Sequence, residues 1–201
     1  VVLSQVWQRS LLALAVIVAV NGRSLEASAR PAAVFTPHLE KIQSSLPLGL
    51  AMRLPPEIQI LGLSESEEER LIVRVFSSET LDNLTVSLFT CELGNQPCFV
   101  GSFGVDRDTS VSALRELQRH QNLGDRVTLA YNIPGYILEG SQQKPSYRFS
   151  SVMWQQNGMI YRVSLPLVER QNILLMASAM TREVPIRRVL PPFVRPPELP
   201  F

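Results

Sequence analysis

The sequence predicts an α+β fold, with a mainly antiparallel sheet of about seven to nine strands and three helices. Three observations carry this. Segments with two-residue alternation of apolar and polar side chains come in two runs, and a segment of helical periodicity closes each run. The joints inside the runs are short turn signals, among them Asn157-Gly158, which return the chain antiparallel to itself. A further helix signal, Thr36-Pro37 followed by Leu39, Ile42 and Leu46, precedes the first run.

Taken in order, the prolines at 47, 55 and 56 frame a short extended piece, Leu50–Leu54, and Ile58–Leu61 reads as another. Ser64–Glu69 is an acidic turn. Leu71–Phe76, Leu84–Thr90 and Phe99–Val105 are rich in β-branched and aromatic residues and form the first run. Asp108–Ser110 then caps a helix carrying Val111, Leu114 and Leu117, which ends near Gly124. The second run begins with Val127–Ile133 and turns at Pro134-Gly135 into Tyr136–Glu139. Gly140–Pro145 turns the chain again into Tyr147–Gln155 and Met159–Leu165. Pro166 opens the last helix, with Ile173, Met176, Ala177 and Met180 on its apolar face. The two runs pair either into one sheet or into two subdomains.

Residues 1–29 read as an export signal. Arg9 precedes the apolar run Leu11–Val20, and Ala27 and Ala29 stand at −3 and −1 of a cleavage site before Arg30. Ten helical residues span only about 15 Å, half of a bilayer's hydrocarbon core. The alternative is an uncleaved anchor, through which any membrane contact would run. Cleavage removes Arg9, Arg23 and Glu26 from a chain of net charge +1, leaving none, and a neutral chain lacks the clustered basic face that nucleic acid requires. The expected organisation is a signal at 1–29, one domain at 30–184 and a proline-rich extended tail at 185–201. That tail holds six prolines in seventeen residues, interleaved with Arg187, Arg188, Phe193 and Arg195, which are candidate partner contacts.

Cys91 and Cys98 are the only cysteines, and a Gly-Asn-Pro turn between two alternating segments separates them. Their thiols are expected to face each other across the mouth of a hairpin and to form a structural disulfide in an oxidising compartment. Two thiolates without a neighbouring histidine fall short of zinc ligation.

Tyr131–Met180 contains Pro-Gly-Tyr, then Trp154, Asn157-Gly158 and Tyr161, then Glu169 and a helix with Met176-Ala177-Ser178. This segment resembles an uncharacterised bacterial extracytoplasmic domain found in lipoproteins and on the outer side of membrane-anchored anti-sigma factors. The family pattern is a tryptophan strand, an Asn-Gly or Asp-Gly turn, a tyrosine strand and a helix. Leu54-Pro55 resembles its upstream leucine-proline element. The resemblance implies a fold and a compartment but no activity, and this chain lacks the family's lipidated cysteine.

Catalytic patterns fare poorly at the level of sequence. Ser141 and Lys144 have serine–lysine spacing, but Gly140 and Pro145 place them in a loop and the companion motifs are missing. Gly101-Ser102-Phe103-Gly104 lacks the spacing of a nucleophile elbow. His38 and His120 are expected on separate helices, as surface residues. Asp106 and Asp108 begin like a calcium loop, but Val111 and Leu117 replace its glycine and glutamate, so helix capping is the reading. Trp154, Tyr147, Phe149 and Tyr161 line either a core or a concave ligand surface. The expectation is therefore an exported, non-catalytic binding module of the cell envelope, without cofactor or metal. It would work in the periplasm or an equivalent exported compartment such as a thylakoid lumen, on an envelope protein or an apolar ligand. A hydrolase with a dispersed active site is the alternative.

Overall fold

The computed structural model describes residues 30–78, 82–92, 98–166 and 169–188. Its strands are β1 (Ala51–Met52), β2 (Ile72–Ser78), β3 (Asn83–Phe89), β4 (Phe99–Arg107), β5 (Asp125–Thr128), β6 (Pro134–Leu138), β7 (Phe149–Gln156), β8 (Met159–Pro166) and β9 (Ile186–Arg187). Helices α1 (Leu39–Ser45), α3 (Val111–Leu123) and α4 (Arg170–Arg182) are substantial, and α2 (Glu65–Glu68) is a single turn. The fold is α+β. Strands β2 to β8 form one antiparallel sheet in the order β2-β3-β4-β8-β7-β6-β5, and β1 pairs with β9 in a small second sheet. The two runs are thus joined at the centre, where β4 pairs with β8 from Ser102↔Ser164 to Arg107↔Met159.

Alternation along the strands gives the large sheet two unlike faces. One is apolar: Leu84, Val86, Leu88, Phe103, Val105, Val152, Trp154, Tyr161, Val163 and Leu165 are buried on it. It packs beneath Phe35 and Ile42, the segment around Met52 and Leu54, and the stripe Ile173, Met176, Ala177 and Met180 of α4. The stripe follows the i, i+3, i+4, i+7 spacing of a helix laid on a sheet. Trp154 stacks on Tyr161 at 5.3 Å, and the Tyr161 hydroxyl donates to the Ala51 carbonyl at 2.8 Å. Buried Arg53 lies over that ring and donates to the carbonyls of Thr181 and Glu183 at the end of α4.

The other face is covered only in part. Ala113 and Leu117 of α3 pack on Met153 and Ile160, with Tyr136 at the margin, and the β2-β3-β4 side lies beyond this small cluster. Ser110 is the N-cap of α3, its hydroxyl accepting from the Ala113 amide at 3.4 Å. The buried stripe of α3 is Ala113, Leu117 and His120, whereas Val111 and Leu114 are 70% and 42% exposed.

Asn157-Gly158 forms the predicted two-residue hairpin, with φ of 52° and 74°. Both positive values are those of a type I′ turn, which glycine adopts without steric cost.

Several boundaries differ from expectation for local reasons. Pro37 lies inside a 3-10 helix, Ala33–His38, and α1 begins only at Leu39. Val127–Ile133 is not one strand: Tyr131 and Asn132 take left-handed φ of 57° and 58°, ending β5 at Thr128, and Leu129 N–H closes the turn on Ile133 O. Pro166 ends β8 instead of opening a helix, and Glu169 is the N-cap of α4. Ile58–Leu61 forms no strand, although Ile58 and Ile60 are buried. The start of the expected tail is part of the body, because Ile186 is buried in the main core and pairs with Met52.

Candidate functional site

On the partly covered face, the register places small polar residues in a row. Ser87, Ser102, Ser164 and Ser151 are consecutive cross-strand partners on β3, β4, β8 and β7. The next row toward the β7–β8 turn holds Thr85, Gly104, Arg162 and Met153. Between this floor and α3 lies a cleft of about 290 Å³, lined by Ser102, Ser151, Ser164, Arg162, by Glu116 and Arg119 of α3, and by Gln143. Phe99, Phe149 and Tyr147 close one end.

That aromatic end is a ladder across the sheet. Phe89 and Phe99 ring centroids are 5.6 Å apart, Phe99 and Phe149 4.8 Å, and Phe149 and Tyr147 5.8 Å, while Arg74 caps Phe89 at 4.8 Å. A β-bulge makes it. The β3–β4 register shifts between Leu88 and Phe89, so that Phe89 faces Phe99 while Leu88 faces Gly101. The extra residue, Val100, packs against the main core, and Phe99 is turned onto the cleft side.

Arg162 lines the cleft from β8. Its cross-strand partner is Gly104, and a Cβ placed there would lie 3.6 Å from Nη2, in van der Waals contact, so the guanidinium lies across the β4 backbone. It makes no hydrogen bond or ion pair with any described residue. Arg119 is held at the rim by Glu116 Oε1 at 3.2 Å and Gln143 Oε1 at 2.6 Å. Asp106, one row below on β4, is buried; burial raises its carboxyl above the usual range, and the charge of Arg162 partly opposes that.

His120 is 1% exposed, which corrects its reading as a surface residue. Its Nδ1 lies 2.9 Å from the Glu116 carbonyl oxygen, which can only accept, so the proton is on Nδ1. Nε2 then accepts from the Ser151 hydroxyl at 2.7 Å. The Glu116 carboxylate is 3.4 Å from Nδ1. Burial holds the imidazole below its ordinary value, against the raising effect of Glu116, so His120 is neutral at pH 7.

A serine, a histidine and a glutamate therefore meet at the cleft, but with part of a hydrolytic apparatus only. Ser151 lies between its ladder partners Leu138 and Ser164 in the middle of a sheet, so the surrounding amides serve strand pairing and offer no oxyanion hole. The imidazole is buried and reaches the cleft lining only through Ser151 and Glu116.

The other expected site residues scatter. Cys91 and Cys98 form the expected disulfide, with Cα atoms 5.5 Å apart, beside the aromatic ladder at the base of the β3–β4 connection. Trp154 and Tyr161 are core, whereas Tyr147 and Phe149 line the cleft. Arg187 and Arg188 are exposed, on the far side of the molecule from α3 in the β1–β9 sheet region, and Arg188 donates to the Leu46 carbonyl. Arg30 is exposed; Ala27, Ala29, Phe193 and Arg195 lie outside the described residues. Within the expected Asp108–Ser110 cap, Ser110 is the residue that caps α3. Among the described residues no three His, Cys, Asp or Glu side chains converge as a metal site, and no helix is long and apolar enough to cross a membrane. Arg162, Glu116, Arg119, Gln143, Ser151 and Ser164 escaped the sequence reading; the strand residues among them were marked only as the polar half of an alternation. No family model, curated protein or solved structure matches the chain.

Proposed function

We propose that this is an exported, non-catalytic binding module of the cell envelope, and that the cleft between α3 and the sheet is its ligand site. The observation that carries the reading is Arg162, a half-buried guanidinium over Gly104 without a hydrogen-bond or ion-pair partner among the described residues, in the lining of a preformed polar cleft. Export is supported by the pattern of residues 1–29 and by the Cys91–Cys98 disulfide, a bond of oxidising compartments. The resemblance to the extracytoplasmic domain points to the same compartment, and its tryptophan and tyrosine are here the buried Trp154 and Tyr161. Intact-mass analysis of protein from its native host is expected to give a chain beginning at Arg30. A full-length chain retained in membrane would replace the cleaved form with an anchored one.

The second reading is a hydrolase with Ser151 as nucleophile and His120 as base, favoured by their 2.7 Å contact. A fluorophosphonate probe separates the two. The binding module leaves Ser151 unlabelled and turns over no ester or amide substrate; labelling abolished by Ser151→Ala would establish the hydrolase.

A further inference from the structure

The composition of the cleft narrows the ligand, on the premise that the cleft is the binding site. Its two ends differ in chemistry. At one, Arg162 offers donors without a protein acceptor, with Arg119 at the rim and the hydroxyls of Ser102 and Ser164 on the floor. Arginine presents its N–H groups as a planar fork matched to a carboxylate or phosphate. Glu116 is the single carboxylate in the lining and is taken up by Arg119, so the lining carries one positive charge more than it carries negative. At the other end the exposed faces are rings: Phe99 against Phe149 at 4.8 Å, continued by Tyr147 at 5.8 Å, itself 58% exposed. The bulge that turns Phe99 out of the core creates this end. Regular pairing would have put Val100 there and left Phe99 on the buried face. A volume of about 290 Å³ sits at the lower limit for small-molecule sites and admits a single small ligand rather than a folded partner.

We infer that the cleft binds a small organic anion with a flat apolar or aromatic body, its carboxylate or phosphate on the Arg162 guanidinium and its body against Phe99, Phe149 and Tyr147. The serines orient the anion by hydrogen bonds, and the guanidinium lies across the sheet over Gly104. This makes the ligand amphipathic, where the sequence reading named an envelope protein or an apolar ligand.

The test uses the mature disulfide-bonded protein and four probes followed by amide and side-chain NMR: 3-phenylpropionate, phenyl phosphate, the neutral 3-phenylpropionamide, and acetate. Both aromatic anions are expected to shift signals of Arg162, Ser164, Phe99 and Phe149, with the amide and acetate each at least about tenfold weaker. Carboxylate against phosphate affinity then assigns the head group. Arg162→Gln should remove the preference for anion over amide, while Arg162→Lys retains part of it. Phe99→Leu should weaken the aromatic anions and leave acetate unchanged. Equal binding of anion and amide, or wild-type preference in Arg162→Gln with a native spectrum, would overturn the inference. Absence of all four probes from the cleft also overturns it, but leaves the binding module standing if envelope partners are still captured. Turnover of phenyl esters with Ser151 labelling would instead reject the binding-module reading.

Discussion

His120 shows how a residue unremarkable in sequence acquires a definite state from its surroundings. Its folded pKa is depressed, chiefly by burial, while the unfolded chain titrates near the ordinary value of about 6.5. Between those two values the unfolded chain binds a proton that the folded protein refuses. Its contribution to stability is therefore complete above about pH 6.5 and is lost as pH falls toward the folded value. The groups facing the ring are Glu116 and Arg119 on its own helix, Ser151 on β7 and Arg162 on β8, and the two arginines reinforce the depression. Asp106 acts with opposite sign in a more acidic window: its raised folded pKa gives stability that is present below about pH 3.9 and is lost as pH rises through the folded value. Urea midpoints of wild type and His120→Asn between pH 5 and 8 should converge toward acid, because only the wild type loses the histidine term. Parallel curves would show that His120 is not the titrating group. Arg53 is the other consequential residue. It is 6% exposed and bonds to two carbonyls at the negative end of α4, and its Nε has no partner among the described residues. Arg53→Met keeps the stem but removes a donor from both carbonyls, leaving Thr181 O to Gln156 Nε2 alone, at an expected cost of about 1–3 kcal/mol in chemical denaturation. A change below about 0.5 kcal/mol would mean that the carbonyls are satisfied without the guanidinium.

At the level of elements, the alternation of apolar residues located β2, β3, β4, β7 and β8, and Asn157-Gly158 fixed the tightest turn. What alternation could not reveal were the departures from it. Nothing in Phe99-Val100-Gly101 announces a bulge, since each residue suits either side of a strand; the pairing with β3 decides it. The same limit applied to α3. Val111 and Leu114 turn outward, and the face that meets the sheet is Ala113, Leu117 and His120, the first two packed on Met153 and Ile160. Thus half of the cleft was legible as the polar halves of strands, and its assembly was not. The β1–β9 pair was missed for another reason: two-residue strands carry no period, and proline density marked 185–188 as tail. Truncation after Val184 should therefore destabilise the protein, since it deletes Ile186 from the core and β1's partner, by about 2–4 kcal/mol. Truncation after Arg188 keeps both and is the cut that tests the tail residues Phe193 and Arg195 as partner contacts. Thermal melts of the two truncations would separate these effects, and equal melting points would show that β9 contributes nothing. The disulfide lends itself to a similar comparison. Serine at both Cys91 and Cys98 should cost about 2–3 kcal/mol through a looser unfolded state, and should broaden the NMR signals of Phe89 and Phe99 beside it. Unchanged ring signals would uncouple the disulfide from the cleft.

Whether the chain behaves as one unit depends on the junction of β4 with β8. The strand runs are separated in sequence by α3, and either could have closed on itself as a subdomain. Instead six residue pairs join them at the centre of the sheet, and the main core extends without interruption from Ala32 to Ile186. The coverings cross the junction too: Phe35, near the start, meets Phe103 edge-on at 5.6 Å, and α4, near the end, packs on β7 and β8. A defect in the first run must then be felt in the second. Leu88 on β3 is fully buried, and Leu88→Ala is expected to cost about 2–5 kcal/mol. In a protein prepared from Arg30 onward, which leaves out Trp7, Trp154 on β7 is the sole tryptophan, and its fluorescence reports on the second run alone. Cooperative unfolding requires the urea midpoint seen by Trp154 to fall by the same amount as that seen by far-ultraviolet circular dichroism. Two independent subdomains would instead leave the Trp154 transition where it stands in the wild type while the dichroism splits into two steps. The pairing of β4 with β8 makes the first outcome the expected one, because exposing the β4 edge would strip β8 of one of its two neighbours and open the core beneath Tyr161 and Val163.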